Sequence, residues 1–325
     1  MSNVDLLYYT KDYPKLVELV ARTCYQSFHK VDEHSHRFIR SIMSKGHLSI
    51  ASVGNIVFGI KQFNEQTLLD LMKMKVANNF IRWSFVAGAS EYQLIVSMNM
   101  LTFLDIRNSQ QGVHLFLAFE ALTDEVPELC WFYDREVELV SATNRYAEMG
   151  SPKLYEPVLL SEDYTTLKAL NFPEEELDIH ATVTLSYMTD RSTGLQLWRH
   201  SDMAGGTELS QRYVSRDGAT FRELIGFHAN ESEIGRKLAG LIARANDDYN
   251  TLLEELSELG VHAGRAKEVA RAILPNALAT EIIQCRPMRQ WKHLFALRDS
   301  VHAQNEAVAD VRSMKKVLLE HGVVL

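Results

Sequence analysis

The pattern of apolar and polar residues in the first sixty positions predicts two amphipathic helices followed by a strand. In the segment LVELVARTCYQSF, apolar residues at three- and four-residue steps share one helical face: Leu16, Leu19, Val20 and Cys24. The segment DEHSHRFIRSIMSKG has a second stripe of this kind, formed by Phe38, Ile39, Ile42 and Met43. Gly46 is a natural stop for the second helix. The segment SIASVGNIVFGI then predicts a strand.

The region from about 61 to 178 has a less regular pattern. The segment LLDLMKMKVANNFIRW is typical of a helix, whereas YQLIVSMNMLTFLDI is a long apolar run that suits either a strand or a buried helix. The segments VPELCWFYD and LYEPVLLSEDY indicate loops and short elements.

Alternation returns at HATVTLSYMTD, where polar Thr182, Thr184 and Ser186 interleave with apolar residues and predict a half-buried strand. A helix is predicted over RSTGLQLWRH. The next segment, SDMAGGTELSQRY, is predicted to be a loop, because the pair Gly205-Gly206 interrupts regular structure.

The last region, roughly 231–325, is predicted to be helical. Its apolar residues recur at helical steps: Leu238, Leu241, Ile242, Ala245, Tyr249, Leu252, Leu253 and Leu256. Gly260 stands where a C-terminal cap belongs. The segments RAKEVARAIL and RQWKHLFALRDSVHAQNEAVADVRSMKKVLLEHG continue the pattern, with Pro275 between them.

Composition narrows the class of protein. A chain of 325 residues with 46% hydrophobic content can bury a sizeable core as one large domain or two modest ones. The net charge of -8 argues against a nucleic-acid polymer as partner. Three widely spaced cysteines, Cys24, Cys130 and Cys285, fit a reducing cytoplasm rather than a disulfide framework. We expect neither a signal peptide nor a membrane span.

One group of polar residues surrounds the glycine pair: Gln196, Arg199, His200, Glu208, Ser210 and Arg212. Backbone N–H groups in a glycine-containing loop bind anions, and arginines bind phosphate oxygens with two hydrogen bonds. A carboxylate and an amide can recognise sugar hydroxyls or the polar edge of a base. The group therefore suits a clamp for a phosphate and a base, or else a surface turn with solvated charges.

A second group lies in the C-terminal region: Arg271, Arg289, His293, Arg298 and His302. Arg298 and His302 are four residues apart and are expected to share one helical face, whereas His293 lies on another. Within the apolar run HLFALRDSV, a buried Arg298 needs an anionic or carbonyl partner. An intrahelical ion pair or a charge at a helix C-terminus is the alternative interpretation.

Other chemistries are poorly supported. No GxSxG elbow and no GxGxxG fingerprint occur. His34 and His36 are two residues apart, so they would point in divergent directions on a helix, and we expect no metal site.

Several motifs, in a fixed order, resemble those of the flavin-dependent thymidylate synthases. The segment QLWRHSDMAGGTELSQRY resembles the family signature Q-x-x-R-H-R followed by E-x-S-x-R-Y. The segments RAKEVARAILP and LRDSVHAQ are similar to the family's V-A-R-x-x-L-P and L-R-x-x-x-H-A-Q, and ARTCYQS and GHLS also match family segments. The similarity covers about 1–60 and 180–310.

The resemblance implies an α/β (α+β) fold with an antiparallel sheet core, long C-terminal helices and a homotetramer that shares its active sites between subunits. It implies that dUMP is converted to dTMP with methylenetetrahydrofolate, FAD and NADPH. The residues implied to bind dUMP are Gln196, Arg199, Glu208, Leu209, Ser210, Gln211, Arg212, Arg271 and Arg298. Of these, Arg298 would act on the uracil ring as the catalytic residue. The residues implied to line the flavin or folate side are His47, Ser49, Arg199, His200, Ser201, Glu208, Arg289, His293 and His302.

The chain departs from the family pattern at several points. Ser201 replaces the last arginine of R-H-R, and the spacer before Ser210 is one residue longer. The segment 49–53 lacks the family's acid and second histidine, and the family's N-A-R reads Pro287-Met288-Arg289. We expect one domain over 1–325, with an inserted subdomain at 61–178.

These departures leave two alternatives to a thymidylate synthase. The first is a related transferase that modifies a pyrimidine nucleotide differently, for example by hydroxymethylation. The second is a nucleotide-binding protein without catalytic activity.

Overall fold

A computed structural model describes residues 4–11, 13–30, 35–86, 91–108, 114–124, 126, 157–200, 205–216 and 219–325. The strands in these ranges are β1 (Val4–Tyr9), β2 (Ile56–Ile60), β3 (Arg82–Phe85), β4 (Leu94–Met98), β5 (Val158–Glu162), β6 (Thr182–Asp190), β7 (Gly205–Glu208) and β8 (Ala279–Pro287). They form two antiparallel sheets of four strands, ordered β1-β2-β4-β3 and β5-β6-β8-β7.

Helices cover both sheets. They are α1 (Tyr13–Tyr25), α2 (Ser35–Ser44), α3 (Glu65–Ala77), α4 (Met100–Asn108), α5 (His114–Asp124), α6 (Tyr164–Ala169), α7 (Glu174–His180), α8 (Arg191–Trp198), α9 (Glu233–Glu258), α10 (Ala263–Ala270), α11 (Met288–Arg298) and α12 (Asn305–Glu320). Short 3-10 helices occupy Phe28–Lys30, Leu48–Ser52 and Arg271–Ile273. The described part of the chain is thus a mixture of helix and antiparallel sheet, in agreement with the predicted class.

Two hydrophobic cores share the strands between them. Ile56, Phe58 and Ile60 of β2 pack in a core with residues of α1, α4 and α5. Val57, between them, packs in a second core with β6, α11 and α12. Successive side chains of a strand point to opposite faces, so β2 connects the two cores. No helix among the described residues is long and apolar enough to cross a membrane.

The prediction that residues 231–325 are wholly helical is wrong at β8. This strand pairs with β6 over nine positions, from Thr182 opposite Pro287 to Asp190 opposite Ala279. Every residue of β8 is buried. A strand that is covered on both faces need not alternate polar and apolar residues, and β8 does not, so its sequence was not distinguished from the helices around it.

The prediction of a loop at the glycine pair is also wrong, because Gly205 and Gly206 begin strand β7. A Cβ on Gly205 would lie 2.0 Å from the carbonyl oxygen of Ser52, and one on Gly206 would lie 1.9 Å from that of Ile283. Gly206 also has a φ of 139°, which L residues rarely adopt. The two glycines therefore let β7 fit between the 3-10 helix at 48–52 and β8.

Three other segments combine two elements where one was predicted. The segment 49–60 begins in a 3-10 helix and becomes a strand only at Ile56. In 68–83 the helix ends at Ala77 and β3 starts at Arg82. The apolar run 92–106 contains both of the structures considered for it, since β4 is followed directly by α4.

The C-terminal helical pattern is interrupted where α11 ends at Arg298 and α12 begins at Asn305. Other predicted helices are confirmed: α1, α2, α8 and α9 lie within or close to the predicted segments. Within 61–178, β3 and β4 complete the first sheet and β5 pairs with β6 in the second. The segment VPELCWFYD lies almost entirely outside the described residues.

Candidate functional site

A cavity of about 550 Å³ lies where the end of α8 meets the start of α11. The described residues that line it are Arg82, Ile179, Arg199, His200, Pro287, Arg289, Gln290 and His293. Among these lining residues are three arginines, two histidines and no acidic residue. Such a lining favours an anionic ligand.

Helix geometry brings distant parts of the sequence to this cavity. Arg199 is the C-cap of α8, and its N–H donates to the carbonyl oxygen of Leu195 at 3.1 Å. Arg289, Gln290 and His293 come from the first turns of α11. The free N–H groups of a helix N-terminus also favour negative charge.

Arg298 joins this group through His200. Its Nη2 donates to Nε2 of His200 at 2.5 Å, so Nε2 is an acceptor and the imidazole is neutral in this arrangement. Burial, together with the positive charge of Arg298, lowers the pKa of His200. We call Arg199, His200, Arg289, His293 and Arg298 the cavity group.

Unpartnered polar atoms remain close to the cavity. Among the described residues, Nε of Arg298 and Oε1 of Gln290 are buried and have no hydrogen-bond partner. Buried polar atoms are normally paired, so these atoms are suited to a ligand that can both accept and donate hydrogen bonds.

The end of α8 is held by Arg286 of β8, a residue that the sequence analysis did not single out. Nη2 of Arg286 donates to the carbonyl oxygen of Leu197 and, at 2.9 Å, to Oε1 of Gln284. The guanidinium also lies 5.1 Å from the ring centroid of Trp291. Burial lowers the pKa of Arg286 to about 10, which leaves it charged at neutral pH.

A second group of predicted residues lies at the end of β7 and in the turn after it: Glu208, Leu209, Ser210, Gln211 and Arg212, called here the β7 group. Glu208 accepts from Arg191 at 2.7 Å and from the hydroxyl of Thr280 at 2.9 Å. Nε of Arg212 forms an ion pair with Glu268 at 2.6 Å. Both charged members of the β7 group thus already have partners of opposite charge.

Backbone contacts fix the rest of the β7 group. The N–H of Leu209 donates to the carbonyl of Glu281 at 2.9 Å, and that of Ser210 donates to the carbonyl of Cys24 at 3.2 Å. The hydroxyl of Ser210 accepts from the N–H of Arg212 at 3.2 Å. Gln211 is half-buried.

The remaining predicted residues surround these two groups. His47 is exposed, and its ring centroid is 6.4 Å from that of Tyr213, beside the β7 group. Ser49 is exposed in the adjoining 3-10 helix. Arg271 directly follows α10, the helix that carries Glu268.

Nε2 of Gln196 donates to Oε1 of Gln304 at 2.5 Å, beyond the end of α11. His302 is exposed in the same connection, after α11 has ended at Arg298. The predicted shared helical face of Arg298 and His302 is therefore wrong, because the helix does not reach His302. Ser201 lies outside the described residues.

The structure brings the cavity group together. No hydrogen bond or ion pair joins the two groups in the described part of the chain. Arg298 was expected to have an anionic or carbonyl partner, but the atom that accepts its hydrogen bond is Nε2 of His200.

Arg82 is a lining residue that sequence reasoning missed. It lies at the start of β3 and is only 8% exposed. The sequence around Arg82 gave no signal of a binding role, because it matches none of the family motifs and lies in the segment predicted to be an insertion. Its position in the cavity became visible only through the pairing of β3 with β4.

A family model described as thymidylate synthase complementing protein matches residues 5–86 and 178–321, more than half of the chain. The chain belongs to this family.

Several curated relatives carry the name flavin-dependent thymidylate synthase, among them the following three. The protein of Corynebacterium efficiens is 33% identical over 155 residues, which cover 42% of this chain and 59% of the relative. That of Mycobacterium avium is 32% identical over 136 residues, covering 39% of this chain and 53% of the relative. That of Mycobacterium tuberculosis is 32% identical over 143 residues, again with 39% and 53% coverage. The chain thus spans somewhat more than half the length of these relatives.

In this member of the thymidylate synthase complementing protein family, the matched segments contain the whole cavity group, the β7 group and Arg82. The interval 87–177 lies outside the match and contains β4 and β5, one strand of each sheet.

Proposed function

We propose that this protein reductively methylates dUMP to dTMP, with methylenetetrahydrofolate as carbon donor, FAD as flavin and NADPH as reductant. Family membership and the names of the relatives support this function. The observation that carries it is the convergence of Arg199 and His200 with Arg289, His293 and Arg298 at one cationic cavity.

The residues at the cavity fit part of a flavin nucleotide. Arginines without acidic neighbours suit phosphate groups, and the unpartnered Oε1 of Gln290 suits an N–H at the edge of a ring. Arg199, His200, Arg289 and His293 would hold the flavin. When bound, the flavin would supply the hydride chemistry, while the protein binds, orients and polarises.

Arg298 would act on the uracil ring. Its guanidinium is held beside His200, and its Nε is without a partner among the described residues. A fixed positive charge at this position favours negative charge that develops on the pyrimidine during the reaction. His200 is kept neutral by burial and by the neighbouring cations. It can therefore accept a hydrogen bond from Arg298 and hold it in position without neutralising its positive charge.

The β7 group, Gln196 and Arg271 would bind the nucleotide's phosphate and sugar. Arg212 is more than half exposed and can exchange Glu268 for a phosphate oxygen. Because no hydrogen bond or ion pair joins the β7 group to the cavity group within the described part of one chain, we propose that the β7 group of one subunit completes the cavity of another.

A homotetramer is the proposed assembly for such shared sites. Helix α9 is 26 residues long, yet only Gly235 and Tyr249 are buried in it. Its apolar residues Ile234 and Leu241 are 64% and 52% exposed. A long helix with an uncovered apolar stripe is suited to pack against a second copy of the chain.

The region 61–178 is proposed to be an insertion within one domain over 1–325, because most of it lies outside the family match. Its described strands extend both sheets, so the insertion is tied to the core. The free thiols of Cys24 and Cys285 support a reducing cytoplasm as the proposed location.

The test is product analysis by mass spectrometry. Purified protein with dUMP, methylenetetrahydrofolate and NADPH should yield dTMP, and omission of any one component should abolish the product. A nucleotide that has gained a hydroxymethyl group would support the related transferase, which Ser201 and the altered segment 49–53 favour. Tight dUMP binding without any product would reject both enzymatic functions.

A further inference from the structure

We infer that Arg82 is a further anion-binding residue of this cavity and that it contacts a phosphate group of a bound nucleotide. The inference rests on the proposed function for the identity of the nucleotide, which is either the flavin dinucleotide or dUMP. Arg82 belongs to β3 and to none of the motifs that suggested the function, although it lies within the matched segment 5–86.

Only neutral oxygen atoms hold the Arg82 side chain. Nη1 donates to the carbonyl oxygens of Ile179 at 3.1 Å and His180 at 3.5 Å, and Nη2 donates to Oδ1 of Asn55 at 2.5 Å. No carboxylate among the described residues lies within ion-pair distance of Arg82. The guanidinium is thus fixed in orientation but keeps its charge.

The nearest buried acid is separated from Arg82 by an amide. Nδ2 of Asn55 donates to Oδ2 of Asp163 at 2.6 Å, so Asn55 stands between the cation and the carboxyl. Burial raises the pKa of Asp163 to about 7, so this carboxyl carries only part of its charge at neutral pH. Burial lowers the pKa of Arg82 only to about 10, and Arg82 remains charged.

A buried cation without a paired anion costs free energy. Arg82 lines the same cavity as Arg199 and Arg289, so an anion in the cavity would be shared by three guanidinium groups. Phosphate suits this arrangement, because it offers several oxygens to planar donors. Arg82 would also supply a cation in a chain that has Ser201 where the family pattern has arginine.

The experiment compares ligands that differ only in phosphate. Affinities for FAD and riboflavin, and for dUMP and deoxyuridine, are measured by titration for the wild-type protein and Arg82→Met. We expect Arg82→Met to weaken one phosphate-bearing ligand about ten-fold or more, because a charged hydrogen bond is lost, and to leave its phosphate-free analogue unchanged. The pair that shows the selective loss identifies the source of the phosphate.

Two further variants distinguish the loss of positive charge at Arg82 from a general effect of substitution on folding. Arg82→Lys keeps the charge but not the planar set of donors, so it should retain most of the phosphate-dependent affinity. Lys73→Met removes an exposed cation of helix α3, and this variant should bind all four ligands as the wild type does. Equal losses for the phosphate-bearing and phosphate-free ligands, or equal losses in the Lys and Met variants, would overturn the inference.

Inorganic pyrophosphate supplies a readout that needs neither flavin nor turnover. It should raise the thermal unfolding temperature of the wild type and of Lys73→Met more than that of Arg82→Met. Pyrophosphate binding that depends on Arg82, without any flavin binding, would reject the proposed function and leave the anion site standing. If Arg82→Met leaves both FAD and dUMP binding unchanged, the anion site is rejected and the proposed function still stands.

Discussion

The cavity group and the β7 group contain similar residues but differ in how their charges are paired. In the cavity group, Arg199 and Arg289 have no ion pair among the described residues, and Arg298 contacts a neutral histidine. In the β7 group, Glu208 is paired with Arg191 and Arg212 with Glu268. The cavity is therefore ready for an anion within one chain, whereas the β7 group must exchange partners to bind one.

The largest effect is expected from Gly206→Ala, which should break the support of the β7 group. A Cβ at this position would lie 1.9 Å from the carbonyl oxygen of Ile283, a backbone atom that cannot move freely, and the φ of 139° is itself unfavourable for alanine. We expect the free energy of unfolding to fall by about 3 kcal/mol or more. Urea-induced unfolding measures this change.

Gly240→Ala is the matched control for that substitution. A Cβ on Gly240, within α9, meets no atom within 4 Å, so the higher helix propensity of alanine should stabilise the protein by up to about 1 kcal/mol. If Gly206→Ala has the same urea midpoint of unfolding as the wild type, β7 does not need this glycine.

Arg298→Ala should cost turnover rather than nucleotide affinity. If the guanidinium beside His200 stabilises charge on the reacting ring, its loss should lower kcat by about 100-fold or more and change dUMP affinity only a few-fold. Steady-state kinetics and a dUMP titration measure the two effects. Arg312→Ala is the control, since Arg312 pairs with Asp299 next to the same helix end but is mostly exposed. A raised KM with unchanged kcat would contradict the proposed role.

His180 should make stability depend on pH in the wall behind the cavity. It is fully buried, with Ser97 at 2.8 Å from Nδ1, and with Ser84 at 2.8 Å and Oε2 of Glu176 at 3.4 Å from Nε2. Burial lowers the pKa of His180 to about 4, although Glu176 acts in the opposite direction. Between pH 6.5 and 4 the unfolded chain therefore binds a proton that the folded protein does not. Stability should fall with pH, by about 2 kcal/mol between pH 7 and 5 from this residue.

His180→Gln isolates that contribution. Glutamine can still bond to a serine but does not titrate, so the loss of stability between pH 7 and 5 should shrink by about 2 kcal/mol relative to the wild type. The comparison between variants is needed because Asp163, with its pKa raised to about 7, contributes with the opposite sign throughout this range. Identical pH profiles for the wild type, His180→Gln and the exposed control His321→Gln would contradict the assignment.

The smallest effects are expected at Arg212 of the β7 group, which must exchange Glu268 for a phosphate oxygen when dUMP binds. Arg212→Ala should weaken dUMP binding about ten-fold, through the loss of one phosphate contact. Glu268→Gln should have the opposite effect on dUMP affinity. It should tighten dUMP binding a few-fold, because it removes the carboxylate that competes for Arg212. Isothermal titration measures both affinities, and weaker binding in Glu268→Gln would show that the ion pair positions Arg212 instead of competing for it.

Elements with a clear period could be predicted from the sequence, whereas strands β7 and β8, which have none, could not. Helices α1 and α9 follow from their apolar stripes, and β6 from its alternating threonines. The prediction that β6 is half-buried is wrong, because Thr182, Thr184 and Ser186 are buried as well as the apolar residues between them. Strand β8 is buried throughout and has no alternation, while β7 begins with two glycines that normally interrupt strands. Only tertiary contacts explain why those glycines are needed there.

The residues of the candidate site divide in the same way, into those that a sequence motif marks and those that only tertiary contacts bring into the site. Residues in family-like motifs, such as Arg199 and Arg298, could be selected by resemblance, although spacing alone left a surface turn as an alternative. Arg82 and Arg286 carry no local signal, because their importance arises from the strand pairing that buries them beside the cavity. Charge pairing, such as that of Arg212 with Glu268, depends on contacts 56 residues apart and is likewise absent from local sequence.

The most direct test of the account is the visible absorbance of the purified protein, recorded alone, after addition of FAD, and anaerobically with NADPH and dUMP. We predict a bound flavin that NADPH bleaches in the presence of dUMP, and that is lost when Arg199 and Arg289 are both replaced by alanine. A folded protein that stays colourless with excess FAD would contradict the claim that this cationic cavity binds a flavin nucleotide.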